Sequence, residues 1–339
     1  MQIKKNRNYL FDNMKVVLIF FVVAAHFIRI SGHFDPTDFG GVFYTISFAF
    51  IMQGFFFVSG YFSHNTEKCR RGAVKAFLLP YFVITTLIYI AEYLITGEVV
   101  VNYLRPRFGL WFLLAMFVYR FMIKDLSRIP HILPISFILY FISGCFPFLG
   151  KELALGRIFA FLFFFIAGYS FKWEYIEKFR AVSKRLILVV AGLLIAASSF
   201  IAEFDMIPVE MWHLKESYSV YGISNIEGIL IRLAMFLMTA GWLFVITSLT
   251  PDKKIYVSDI GAMTVTVFVC HLPIRNILKY VSIPFENSFL VYGSCIGLAL
   301  AVIYVFSRPC VFNAYNKMMN TAYNMTVVPV HKTYKMLFN

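Results

Sequence analysis

The segment from Phe11 to Phe27 reads FDNMKVVLIFFVVAAHF. Ten apolar residues separate Lys15 from His26. At about 1.5 Å per helical residue, His26 lies roughly 16 Å past Lys15. With Asp12 and Lys15 at one surface, that is just beyond the middle of a hydrocarbon layer about 30 Å thick. The segment therefore reads as a membrane helix with a histidine inside it. An ionisable group at that depth is costly and marks a functional site by default.

Composition extends this reading to the whole chain. Hydrophobic residues make up 60% of 339 positions and charged residues 14%. The chain is an all-α polytopic membrane protein, with no polar stretch long enough for a separate soluble catalytic domain. Apolar runs fall at 15–30, 43–62, 77–96, 108–123, 132–149, 157–171, 186–202, 229–249, 259–281 and 289–306, which predicts about ten transmembrane helices. Pro134, Pro147, Pro208 and Pro284 fall near helix ends or loops. The first run is long and lacks a small-residue cleavage pattern, so it reads as a span and not a cleaved signal peptide. Residues 1–306 form the membrane domain and 307–339 a cytosolic tail. The five cysteines have no paired spacing and read as small buried hydrophobes. No HExxH or CxxC spacing calls for a metal.

Basic residues set the orientation. With a cytosolic N-terminus, 22 of the 31 Lys and Arg fall in cytosolic segments. The opposite loops hold five: Arg105, Arg107, Lys151, Arg157 and Lys215. Lys4, Lys5, Lys332 and Lys335 are among the cytosolic set, and both termini are expected on that side. A basic inner face against anionic membrane lipids accounts for the net charge of +13, and no nucleic-acid partner is needed.

This topology collects polar residues in the outer half of the membrane. Arg29 follows His26 by one turn on the same face, and Arg275 follows His271 likewise. Glu92, Glu152, Arg157, Glu203 and Asp205 add charges on that side, so one polar cavity open to the outside is expected. Each residue has a plainer alternative. A membrane histidine can hydrogen-bond a neighbouring helix, and Arg29, Arg275 and Lys279 can snorkel to the interface. The Phe-rich strings at 55–58 and 161–165 suit lipid or packing surfaces. Trp212, His213, Tyr218 and Tyr221 in the long outer loop suit either sugar stacking or helix anchoring. Ser224 and Glu227 have the spacing of a capping box. Arg70, Arg71 and Lys75, on the cytosolic side, fit either the charge bias or a phosphate-rich ligand.

In order and spacing, several strings resemble the acyltransferase-3 family of integral-membrane enzymes, in the branch of fucose 4-O-acetylase-like proteins. They are FDNMK followed, after ten intervening residues, by His26, FFFVSGYF at 55–62, KAFLLPY at 75–81, LWFLLAMF at 110–117, FFFIAGY at 163–169 and IGAMTVTVFVCHLPI at 260–274. The resemblance spans about Asn8 to Phe306 and includes a ten-helix layout. It implies transfer of an acyl group from cytosolic acetyl-CoA or another acyl-CoA to an outer acceptor, commonly a sugar hydroxyl, in a bacterial cytoplasmic membrane. By the same motifs His26 is the catalytic histidine, and Lys15, Arg70, Arg71 and Lys75 face the donor's phosphates. Many members read FHMP before the FFFxSG string, where this chain has Phe50–Ile51–Met52–Gln53. The second histidine and the proline are missing, which touches specificity or activity itself.

Residues and resemblance together lead to one expected mechanism. His26 takes the acceptor's proton, Arg29 or a helix dipole stabilises the oxyanion, and His271 orients His26 or binds the acceptor. A covalent acyl-histidine relay is a variant. No metal takes part. A transporter or flippase, and an anchor or sensor without chemistry, are the alternatives. Transporters usually carry internal repeats, which the two halves here do not display.

Overall fold

In hydrocarbon no water pairs with the backbone, so apolar spans close their hydrogen bonds internally as helices. The computed structural model describes residues 7–150, 152–281 and 285–338, with side chains described through Pro329. Lys4, Lys5, Lys151 and Pro284 lie outside these residues, as do the side chains of Lys332 and Lys335. The helices are α1 (Tyr9–Arg29), α2 (Phe39–Tyr61), α3 (Thr66–Ala73), α4 (Leu79–Thr96), α5 (Trp111–Leu126), α6 (Ile132–Ile142), α7 (Leu155–Ser170), α8 (Trp173–Ala181), α9 (Lys184–Glu203), α10 (Asn225–Leu249), α11 (Ser258–Ala262), α12 (Thr264–Leu278), α13 (Ser288–Phe306) and α14 (Pro309–Phe338). No strand occurs among the described residues.

Each of the ten apolar runs holds helix, but among the described residues only seven helical stretches are long and apolar enough to cross a membrane. They are α1, α2, the continuous stretch Thr66–Thr96, Glu152–Ser170, α9, α10 and α13. Three runs fall short. The 16-residue α5 carries Arg120, Lys124 and Asp125 in its second half. The 11-residue α6 gives way to a short 3-10 turn. The run at 259–281 breaks at Met263 into α11 and α12, and Pro273 lies inside α12. A π-helical turn over Val74–Leu78 joins α3 to α4.

Helix α1 is the axis of the bundle and packs against α2, α11, α12 and α13. Leu18, Val23, Ala24 and Ile28 are fully buried. By contrast, α9 and α13 turn Leu188, Leu193, Leu300 and Tyr304 outward, as a lipid-facing surface requires. The Phe-rich strings pack inward, with Phe56, Phe161 and Phe165 buried. Helices α2 and α7 approach through glycine. A Cβ at Gly168 would lie 2.0 Å from the Phe57 carbonyl oxygen, and one at Gly60 1.9 Å from that of Phe165.

Charges sort to the two ends of the bundle. At the α1 N-terminus, Arg7 pairs with Asp12 and with Asp259, and Asn13 donates to the carbonyls of Pro251 and Lys253. Arg70–Asp125, Lys124–Glu67 and Arg180–Asp252 join further segments assigned to the same side. Arg29–Glu210, Arg105–Glu152 and Arg107–Glu92 join segments of the other. The capping box of Ser224 and Glu227 starts α10. The five cysteines are free; Cys69 and Cys295 are buried, whereas Cys310 is exposed on α14.

Candidate active site

The two membrane histidines meet. His26 Nδ1 lies 2.9 Å from His271 Nε2, with the rings nearly parallel. His271 Nδ1 lies 3.1 Å from the Val267 carbonyl oxygen. That carbonyl accepts only, so His271 Nδ1 carries a hydrogen. In a neutral His271 the Nε2 is then an acceptor, and His26 Nδ1–H donates to it. His26 Nε2 keeps its lone pair. One backbone oxygen thus sets both tautomers. The i, i+4 relation of Val267 to His271 on α12 supplies that oxygen.

His26 lines a cavity of about 360 Å³ towards the second end of the bundle. Arg29, Arg157, Lys215 and Arg275 line it too, with Arg105 at its rim loop, and no carboxylate is among its lining residues. Arg29 donates to Glu210 at 2.9 Å and lies over the Phe34 ring. Arg275 stacks 4.0 Å from the Phe108 ring centre, and Arg157 4.6 Å from that of Trp111. Arg157 Nε and Arg275 Nη1 are buried without a hydrogen-bond partner. Phe108 adopts a left-handed φ of 47°, a strained conformation for a side chain of its size, and so brings the 97–110 loop against Arg275. His213 reaches the cavity from the loop between α9 and α10, 2.7 Å from the Tyr44 hydroxyl. Burial, with Arg157, Lys215 and Arg29 nearby, holds its imidazole well below the usual histidine range, so it is neutral.

A second cavity, of about 240 Å³, starts from the opposite end. Lys15, Phe77, Phe112, Arg120 and Phe268 are among its lining residues. Phe77 and Arg120 also line an open groove of about 600 Å³ with Lys68 and Arg71. Groove and second cavity therefore form one path from the basic surface inward. The path ends one side chain from His26. A Cβ on Gly109 would lie 3.5 Å from His26 Cε1 and 3.4 Å from Phe268 Cζ, so Gly109 stands at contact distance from both. The Phe112 and Phe268 rings, 5.2 Å apart, stand between the cavities.

The expected residues divide accordingly. His26, Arg29, Arg157 and Arg275 share the outer cavity, with His271 directly behind His26. Glu203, the last residue of α9, and Asp205 just past it were expected there, but both are exposed and do not line it. Glu92 and Glu152 are held by Arg107 and Arg105. Lys15 lines the inner path and pairs with Asp12 at 2.8 Å. Arg71 faces the groove, whereas Arg70 is tied to Asp125 and the Phe121 carbonyl, and Lys75 lies over Tyr323. Of the outer-loop aromatics, Trp212 and Tyr218 are buried as packing. Arg120 had been only one of many basic residues; its Nη1 donates to Ser63 Oγ at 2.9 Å. Among the described residues, no three His, Cys, Asp or Glu cluster to hold a metal.

A family model described as an acyltransferase domain, that of acyltransferase family 3, matches residues 8–308. No curated protein and no solved structure matches the chain.

Proposed function

Because the chain belongs to the acyltransferase-3 family of membrane proteins, we propose that it is an O-acyltransferase that moves an acyl group, acetyl first, from cytosolic acyl-CoA to a hydroxyl of an extracytoplasmic glycan or lipid-linked sugar. The observation that carries the reading is His26. It has a free Nε2 lone pair in one cavity and the blind end of a second, oppositely opening path beside it. Such a residue serves a donor and an acceptor that arrive from different sides of a membrane.

In this reading both termini are cytosolic and residues 1–306 form the catalytic domain, with 307–339 as a cytosolic tail. The donor's phosphates bind Arg71, Lys68 and Arg120 in the groove, with Lys15 further in and Arg70 and Lys75 at the surrounding surface. Its pantetheine arm follows the path to the Phe112–Phe268 partition. His26 Nε2 removes the proton of the acceptor hydroxyl as its oxygen bonds to the thioester carbon. Arg275 stabilises the resulting oxyanion, since Arg29 is already neutralised by Glu210. The C–S bond then breaks, and the thiolate leaves with the proton from His26. His271 accepts from His26 Nδ1–H and holds the ring in place. No step needs a metal. The envelope glycans of a bacterial cytoplasmic membrane and the fucose 4-O-acetylase-like branch are the setting that the motifs favour.

The test is acylation of envelope glycans in cells that carry His26→Ala. Loss of about 10²-fold or more is expected, as for removal of a general base. Transfer at the unaltered rate would sink the mechanism.

A further inference from the structure

One cation of the outer cavity has no part in the chemistry above. Arg29 is paired with Glu210, Arg105 with Glu152, and Lys215 lies 4.0 Å from Glu216. Arg157 and Arg275 make no hydrogen bond or ion pair among the described residues, although the Glu216 charge acts on Arg157 from a distance. A single developing oxyanion occupies one guanidinium, and Arg275, one turn beyond His271, takes it. Arg157 remains. It stands on α7, across the cavity, with its guanidinium spread over the Trp111 indole and its Nε buried without a partner. Arg157 is only partly exposed on the cavity wall, and its guanidinium has no hydrogen-bonded or ion-paired anion among the described residues, which leaves a close counter-charge for a ligand to supply.

We propose that Arg157 binds a permanent oxyanion, a phosphate or carboxylate, carried by the acceptor itself. This rests on the reading of the outer cavity as the acceptor's. A planar guanidinium backed by an indole ring presents its outer N–H groups as a fork, the geometry that takes two oxygens of one anion. Neutral His213, hydrogen-bonded to Tyr44, adds a polar group without adding charge. At about 360 Å³ the cavity has room for a monosaccharide with such a substituent.

The experiment is calorimetric titration of the purified full-length protein in nanodiscs with glucose 1-phosphate, glucuronate, methyl glucoside and inorganic phosphate. Glucose 1-phosphate or glucuronate should bind saturably, and methyl glucoside at least tenfold more weakly. Inorganic phosphate should also be at least tenfold weaker, since it lacks the sugar. Arg157→Gln should weaken the anionic sugar about tenfold or more, the loss of a charge-assisted pair. Arg157→Lys should fall between, because it keeps charge and loses the fork. Equal binding of neutral and anionic sugars overturns the proposal. So does inorganic phosphate as tight as the sugar phosphate, or an Arg157→Gln protein that binds unchanged. If Arg157→Gln does not fold, Arg157→Lys and the neutral-against-anionic comparison in the unaltered protein still decide. The two readings separate cleanly. Binding of the anionic sugar without acyl transfer removes the reaction and keeps the site. Acyl transfer to methyl glucoside as fast as to glucose 1-phosphate keeps the reaction and removes the site.

Discussion

A buried imidazole is a base only when one nitrogen is unprotonated and faces its substrate. For His26 that condition is met by a neighbour's backbone. The Val267 carbonyl takes the His271 Nδ1 hydrogen, His271 Nε2 takes that of His26 Nδ1, and His26 Nε2 is left open. His271→Ala should therefore cost about 10²–10⁴-fold in turnover, in the range seen when the orienting partner of a catalytic histidine is altered. His271→Gln, whose amide oxygen can accept from His26 Nδ1–H, should recover part of the loss. Equal losses in the two variants would mean that packing, and not the acceptor role, is what His271 provides. The measurement is acyl transfer at saturating donor, with thermal unfolding of each variant as the control for folding.

At the scale of helices, the site depends on close contact at two places. Gly109 stands between His26 and Phe268 at contact distance from both. Gly168 and Gly60 let α7 and α2 touch backbone to backbone, as small residues do where membrane helices pack tightly. Helix α7 carries Arg157, and α2 carries Tyr44, so a shift between them moves two walls of the outer cavity. Gly168→Leu would push a side chain into the Phe57 carbonyl. A destabilisation of about 1–3 kcal/mol or more is expected from such overpacking. In detergent it should appear as a lowered unfolding temperature together with reduced yield. Gly192→Leu on α9, where a Cβ meets open space, should leave both unchanged. A neutral Gly168→Leu would show that α2 and α7 do not pack as described.

For the whole molecule, the salt bridges carry the topological argument. The pairs Arg7–Asp259, Arg180–Asp252 and Lys124–Glu67 join segments at one end, and Arg29–Glu210 and Arg105–Glu152 join segments at the other. The positive-inside bias assigns the first end to the cytosol. In a cysteine-free background, Glu98→Cys should then react with a membrane-impermeant maleimide in intact cells, and Glu67→Cys only after permeabilisation. The reverse pattern would turn the molecule over and put the basic groove outside, away from any cytosolic donor.

Much of this was already written along the chain. Alternation of long apolar runs with short polar ones specified a helical membrane bundle, because hydrocarbon leaves a backbone no other way to pair its polar groups. The interval from Lys15 to His26 gave the histidine's depth, and the rise of a helix is a constant. The FDNMK and IGAMTVTVFVCHLPI strings pointed to α1 and α12 as the elements that matter. Ten runs did not become ten long spans, since charges in α5, the short α6 and the break at Met263 are local interruptions that average hydropathy passes over. Pairing was beyond the sequence altogether. That His26 meets His271 across 245 positions, that Glu210 neutralises Arg29 while Arg157 has no such partner among the described residues, and that Arg120 faces the inner path were decided only by the packing of helices distant in the chain. The physical reason is that periodicity reports which face of a helix is apolar. The hydrogen bonds and ion pairs that give a polar residue its chemistry depend on which other helix that face meets.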